Sequence, residues 1–234
     1  MRIMTYNIRG GLGMDNVRSI ARISETVRLY SPDVVCFQEV HKRLLWSGHE
    51  DQPERLAHLL GRSFHFQRLL TFGHGGYGIG IATRAIPRYV KEHLLPSRGE
   101  QRGLLEVGLS GVLGFPLMRV FCTHWGLDEG ERLKQARFCV DVLRAENTPT
   151  LFCGDLNETK ERAGVSFLLS ESGFVDAGAE GSLPTFPSIG QNVRIDYLLH
   201  SSAVRSDRFE VIHSTASDHL PIVADIFRVS RETR

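Results

Sequence analysis

The chain has little cysteine: four residues in 234, namely Cys36, Cys122, Cys139 and Cys153. Each stands among apolar neighbours and no two form a Cys-x-x-Cys pair, which argues against a zinc ribbon or a thioredoxin-like site. The expectation is four buried, reduced thiols and a cytoplasmic location. An excess of either charge is also lacking. Lys and Arg number 28 against 27 Asp and Glu, a formal balance of +1. That argues against a protein that coats nucleic acid or anionic membrane through bulk electrostatics, and leaves a local basic cleft open. No apolar run approaches the ~18 residues that a membrane helix needs. The apolar stretch after Arg2 ends at Asn7, too short for a signal-peptide core, so neither a leader nor a membrane span is expected. Repeats, low-complexity tracts and linkers are missing as well.

What is present suits a globular chain. With 41% hydrophobic and 24% charged residues, long disorder and fibrous repeats are excluded. At roughly 150 residues per domain the length allows one or two domains. Short runs rich in Val, Ile and Phe alternate with helical patterns. Strands are expected at 2–7, 33–39, 64–70, 77–83, 88–94, 104–109, 117–124, 150–155, 195–199 and 222–228. Helices are expected at 17–30, with Ile20, Ile23, Val27 and Tyr30 on one face, and at 52–60, 131–145 and 163–172. Gly61 and Gly173 serve as stops. So many strands against so few helices do not suit a simple doubly wound sheet. The pattern suggests two sheets packed face to face with helices outside. One domain then spans residues 1–228, with a short polar tail at 229–234.

The informative residues end these runs. The first run ends in Asn7, the second in Glu39, the seventh in His124 and the eighth in Asp155, with Asn157 close behind. Asp196 stands inside an otherwise apolar strand, and Ser217-Asp218-His219 introduces the last one. Singly, each has an ordinary explanation, since Asp and Asn form turns and a histidine after a strand is often an edge residue. Asp196 is harder to explain, because a buried unpaired carboxylate is costly and needs a cationic or hydrogen-bonding partner. Together they deliver carboxylates, imidazoles and carboxamides to strand ends, where layered α/β proteins collect ligands and reactants. Oxygen donors from Glu39, Asp218, Asp155, Asn7 and Asn157 suit Mg²⁺ or Mn²⁺. Two histidines with no nearby Ser or Cys nucleophile point to phosphoryl chemistry with an activated water.

In order along the chain stand Tyr6-Asn7-Ile8, Gln38-Glu39-Val40, Thr123-His124, Gly154-Asp155-Leu156-Asn157, Arg194-Ile195-Asp196-Tyr197 and Ser217-Asp218-His219-Leu220-Pro221. This series, spread over residues 1–227, resembles the endonuclease/exonuclease/phosphatase superfamily, the deoxyribonuclease-I-like fold. The segments 77–84 and 100–103 resemble that family's middle strands. The resemblance implies an α/β (α+β) fold, a four-layer α/β/β/α sandwich of two packed mixed sheets, and a divalent-metal phosphoester hydrolase. It implies Glu39 as the principal ligand of Mg²⁺ (or Mn²⁺), assisted by Asn7 and Asp218. It implies Asp155 as the group that orients and deprotonates the attacking water, with Asn157 positioning the water or the phosphate. His219, held by Asp196, would donate to a non-bridging phosphate oxygen, and His124 would assist leaving-group departure. Arg102 would contact the substrate phosphate. Two positions depart from the pattern. Arg9 stands where some branches carry a second acidic residue, and no glutamate between Tyr77 and Arg84 is available to pair with His124.

Gly73-His74-Gly75-Gly76-Tyr77-Gly78 matches Gly-x-Gly-x-x-Gly but precedes a strand rather than a helix, which argues against a dinucleotide site. It reads as a flexible loop over the site, with His74 or Tyr77 reaching the substrate phosphate. Trp46 and Trp125 read either as stacking platforms or as residues that pack loops onto the sandwich. His41 follows Glu39 closely enough to line the cleft, and the other histidines read as surface or structural. The expected function is a monomeric, metal-dependent phosphodiesterase whose phosphoester substrate is open: a small molecule, a lipid head group or nucleic acid. The alternatives are a nuclease acting on DNA and a non-catalytic binding module on the same fold.

Overall fold

The computed structural model describes residues 1–144, 148–178 and 183–229. Residues 230–234 of the expected tail and Ala145 of the third expected helix lie outside the described residues. In chain order the strands are β1 (Arg2–Asn7), β2 (Val34–Lys42), β3 (Ser63–Phe72), β4 (Gly75–Thr83), β5 (Pro87–Leu94), β6 (Gly103–Leu109), β7 (Met118–His124), β8 (Thr150–Asp155), β9 (Val175–Asp176), β10 (Asp196–His200), β11 (Val204–Val211) and β12 (Ile222–Arg228). The helices are α1 (Ile20–Tyr30), α2 (Gln52–Leu60), α3 (Glu129–Arg144) and α4 (Ala163–Ser172). The strands form two six-stranded sheets, ordered β11-β12-β1-β2-β4-β3 and β5-β6-β7-β8-β10-β9. Both are mixed: β1 runs parallel to β2 and β7 parallel to β8, and the other named pairings are antiparallel.

The layers follow from the alternation of side chains along a strand. In β2, Val34 and Cys36 face the other sheet, while Val35 and Phe37 face α1 and α2. In β8, Leu151 and Cys153 face inward, while Phe152 packs with α3 and α4. Strands covered on both faces are apolar at most positions, which is why these runs read as nearly continuous Val, Ile and Phe. One core lies between the sheets, and each outer face carries a second core under a helix pair. These are the four layers of an α/β/β/α sandwich. All four thiols are buried and unpaired by disulfide. No helix among the described residues is long and apolar enough to cross a membrane.

Several boundaries differ from the expectation for local reasons. The first helix starts at Ile20 rather than at residue 17, because the Ser19 side chain accepts from the Arg22 N–H and caps it. The third starts at Glu129, with the Asp128 carboxylate accepting from the Glu131 N–H at 2.8 Å. The second strand does not end at Glu39 but runs through a bulge to Lys42. The expected flexible glycine loop is mostly strand: Gly75, Gly76 and Tyr77 pair with Phe72, Thr71 and Leu70, respectively, across a tight hairpin. β9 and β11 were not expected. β11 is an edge strand, half exposed, with Arg, Asp and Glu interrupting its apolar positions, so it shows no apolar run.

Candidate active site

The two parallel pairs decide where polar residues meet. β1, β2, β7 and β8 point their C-terminal ends the same way, and β4, β6, β10 and β12 start at that edge because they run antiparallel to them. Residues far apart in the chain therefore converge. His124 pairs with Asp155, and Asp155 with Asp196, in adjacent strands. The resulting cleft has a volume of about 480 Å³, and its lining includes Glu39, Tyr77, Arg102, His124, Asp155, Asn157, Asp218 and His219. Asn7 and Asp196 lie buried directly beneath it.

Local structure aims these groups. At Glu39 the register between β2 and β4 shifts, and Glu39 takes a left-handed φ of 57°. A bulge of this kind turns a side chain out of the strand's alternation, at a backbone cost of about 1–2 kcal/mol for a non-glycine residue. Before Asp155, a Cβ on Gly154 would sit 2.1 Å from the Thr123 carbonyl oxygen, so only glycine lets β8 pass β7 there. Asn157 is also left-handed, at φ 50°. Its N–H donates to Asp155 Oδ1 at 2.9 Å and its Nδ2 to the Trp125 carbonyl at 2.9 Å.

Asp155 is the hub. Its Oδ2 accepts from Asn7 Nδ2 at 3.0 Å and lies 3.5 Å from His124 Nε2 and 3.6 Å from His219 Nε2. Burial pushes the Asp155 carboxyl well above the usual range, and the nearby His219 opposes the rise. His219 is held from behind, with Nδ1 3.0 Å from Asp196 Oδ2. Burial alone would lower the His219 pKa, but Asp196 and Asp155 override it and hold it up to about 10, so His219 is an imidazolium at neutral pH. His124 is its opposite. Burial, then Arg102 and His219, hold it well below the ordinary histidine value, so it is neutral. Its Nδ1 is buried without a hydrogen-bond partner, in line with the missing glutamate.

The carboxylates suit a hard cation. Asn7 Nδ2 also donates to Glu39 Oε1 at 3.0 Å, while its Oδ1 accepts from the Arg9 N–H at 3.1 Å. Among the described residues no cationic side chain lies within ion-pairing distance of Glu39. Burial raises its pKa, eased by Asn7 and reinforced by Asp218. The charge of His219 also eases it from a distance, but a desolvated carboxylate with no ion-pair partner in contact is the donor a divalent cation satisfies. Asp218 borders the same space, with Oδ2 3.2 Å from Arg9 Nε. Arg9, in the position of the second acid, thus pairs with the remaining one. Asp155, Asp196 and His219 also bring three donor atoms within 4.8 Å. There the His219 imidazolium already offsets one of the two carboxylates.

All ten expected site residues meet at this edge. Arg102 is only 4% exposed, so it is not a solvated loop charge, and its Nε has no hydrogen-bond partner. His74 is exposed at the hairpin turn and does not line the cleft. Trp125 is fully buried in the core under α3 and α4, so it is a packing residue, not a platform. Trp46 and His41 do line the cleft. Reading strand ends missed Phe72, Phe186, Leu70 and Leu127 in the lining. Apolar residues carry no chemical signal in a sequence, whether in a strand, as Leu70 and Phe72 are, or outside the strands, as Leu127 is.

A family model for the endonuclease/exonuclease/phosphatase family matches residues 4–219. The chain belongs to that family. Its members hydrolyse phosphoester bonds. The Escherichia coli K12 protein YbhP is 26% identical over 96% of this chain and 95% of its own. Among solved structures, a family protein from Beutenbergia cavernae superposes with a TM-score of 0.83 at 24% identity, covering 100% of this chain and 73% of that one. The Bacteroides thetaiotaomicron mannosyl-6-phosphatase Bt3783 gives 0.80 at 18%, covering 97% and 99%. The human nocturnin catalytic domain with bound sulfate gives 0.79 at 20%, covering 98% and 94%. At these identities the solved structures speak for the fold.

Proposed function

We propose that the chain is a divalent-metal-dependent phosphodiesterase that uses in-line attack of water activated by Asp155. The observation that carries this reading is the setting of Asp155. It is a buried carboxylate with a raised pKa, tied by Asn7 to Glu39 and flanked by one charged and one neutral imidazole. A base nearer to neutral pH is the better proton acceptor at neutral pH.

Glu39 and Asp218 would hold Mg²⁺ or Mn²⁺, with Asn7 setting the Glu39 carboxylate. The cation would supply charge neutralisation at the phosphate and the departing oxygen. Asp155 takes the proton of water as the new O–P bond forms and the ester P–O bond breaks. His219 donates an N–H to a non-bridging oxygen, and Asp196 holds it in the charged, correctly turned state. Arg102 offers its guanidinium to the phosphate. Neutral His124 donates one hydrogen bond to the leaving oxygen. Tyr77 borders the phosphate side of the cleft.

The test is a hydrolysis panel with and without Mg²⁺ or Mn²⁺: a generic phosphodiester, a phosphomonoester, plasmid DNA, abasic DNA and phospholipids. Each is run against Asp155→Asn. Metal-dependent diester cleavage lost in Asp155→Asn is the expected result. Activity that is absent, or independent of metal, across the panel would favour a binding module. The four buried, reduced thiols support a cytoplasmic site of action.

A further inference from the structure

We propose that Trp46 and Phe72 form a subsite that grips a planar ring, a nucleobase or an aryl group, carried by the phosphoester substrate. The proposal rests on the phosphoester reading above and names its substrate class. Isolated exposed hydrophobics are common on protein surfaces and need no explanation. These two differ in three respects. They come from separate elements and touch, with ring centroids 5.0 Å apart and planes at 77°. Both line the reaction cleft, yet Trp46 is 52% and Phe72 46% exposed. And both are held in place rather than loose.

Trp46 lies on the 3₁₀ turn Leu45–Ser47, closed by His49 N–H to Leu44 O at 2.9 Å and flanked by Arg43 N–H to Glu50 O at 2.8 Å. Phe72 ends β3, opposite Gly75 in the hairpin. His41 sits 6.4 Å from Trp46 and 5.7 Å from Tyr77, centre to centre. Phe72, Trp46, His41 and Tyr77 thus form one aromatic wall from the rim toward Glu39. Among the described residues neither rim ring is stacked face to face on another. Leu127, 77% exposed, also lines the cleft.

The two rim rings carry no carboxylate, carboxamide or cation that would read the edge of a base. They recognise a ring by its face and area, which tolerates any ring and disfavours a ringless substrate. Pre-set rings also lose little conformational entropy on binding.

The chain has two tryptophans, and Trp125 is fully buried, so quenching by an added ligand reports Trp46. Phenyl phosphate and thymidine 5′-monophosphate, titrated with Mg²⁺ present, are expected to quench the emission. By calorimetry phenyl phosphate should bind roughly 3- to 10-fold tighter than cyclohexyl phosphate. Trp46→Ala and Phe72→Ala should each weaken thymidine 5′-monophosphate by roughly 10-fold and erase the phenyl preference, and Trp46→Phe should keep most of it. The ratio of the two ring ligands tells nucleobase from aryl. Equal binding of phenyl and cyclohexyl phosphate, or a preference unchanged in Phe72→Ala, overturns the subsite. So does octyl phosphate binding tighter than phenyl phosphate, which would make the wall a chain-binding surface. No turnover is needed, so a flat ring response from an active enzyme sinks the subsite alone. Failure of the hydrolysis panel sinks the parent reading.

Discussion

Asp155 and His219 define each other. In the proposed role of general base Asp155 would contribute about 10²–10⁴ in rate, so Asp155→Asn should lose that much kcat in the diester assay. Because burial raises the Asp155 pKa, the acid limb of kcat/KM should lie above the ordinary carboxylate range near 3.8. A limb at or below that value would remove Asp155 from the role of base. For His219 the sign is reversed. Its pKa is raised from 6.5 to about 10, so its ion pairing stabilises the fold fully below about 6.5 and is lost as pH rises through about 10. Asp196→Asn removes the main upward influence, so the alkaline limb should move to lower pH, as NMR titration of the His219 ring would report. His219→Ala should cost roughly 10²–10³ in turnover. Glu39 carries a cost of the opposite kind. Its raised pKa means that its ionised form strains the metal-free fold, increasingly as pH rises past the ordinary value of 4.5. Glu39→Gln should then melt no lower than wild type without metal. Saturating Mg²⁺ at 100 times Kd should add about 2.7 kcal/mol to wild type and far less to the variant, measured by calorimetry with EDTA as reference.

At the scale of elements, one buried ion pair joins the loops that follow β7 and β8. Arg132 in α3 donates from Nε to Glu158 Oε2 at 2.8 Å, and from Nη1 to the Leu127 carbonyl at 2.7 Å and the Gly126 carbonyl at 3.3 Å. Glu158 Oε1 accepts from the Gly164 N–H at 3.1 Å, where α4 begins. The loop after His124 and the loop after Asp155 are thereby tied to the same guanidinium. Removing one partner leaves a buried charge alone, so Arg132→Met should cost about 3–5 kcal/mol in denaturant unfolding. This tie was not legible in the sequence, because its members lie apart in the chain and look like helix-surface charges. The central strands were legible, since β1, β2, β7 and β8 are buried on both faces and show as apolar runs. β11 was not, because an edge strand pairs on one side only and tolerates charge. The Glu39 bulge was equally hidden, being a property of the pairing between β2 and β4.

For the whole molecule, the near balance of charge sets an expectation about substrate. With a net charge of +1 and no basic surface implied by composition, kcat/KM on a small diester should change little between about 50 and 200 mM salt. A steep decline on DNA, with counterions released from several phosphates, would support the nuclease alternative. Chain order alone determined the family resemblance, the alternation of apolar strands and helices, and the identity of the eight polar residues at strand ends, because buried strands and chemical side chains leave marks in residue type. Only the tertiary structure decided which of them touch. Parallel pairing of β1 with β2 and of β7 with β8 points their C-terminal ends to one edge, and packing of the sheets brings Asn7 of one against Asp155 of the other. The protonation states were decided there too, because they depend on burial and on neighbours distant in sequence. So was the aromatic wall of Trp46 and Phe72, whose two rings meet only because the end of β3 folds back beside the turn after β2.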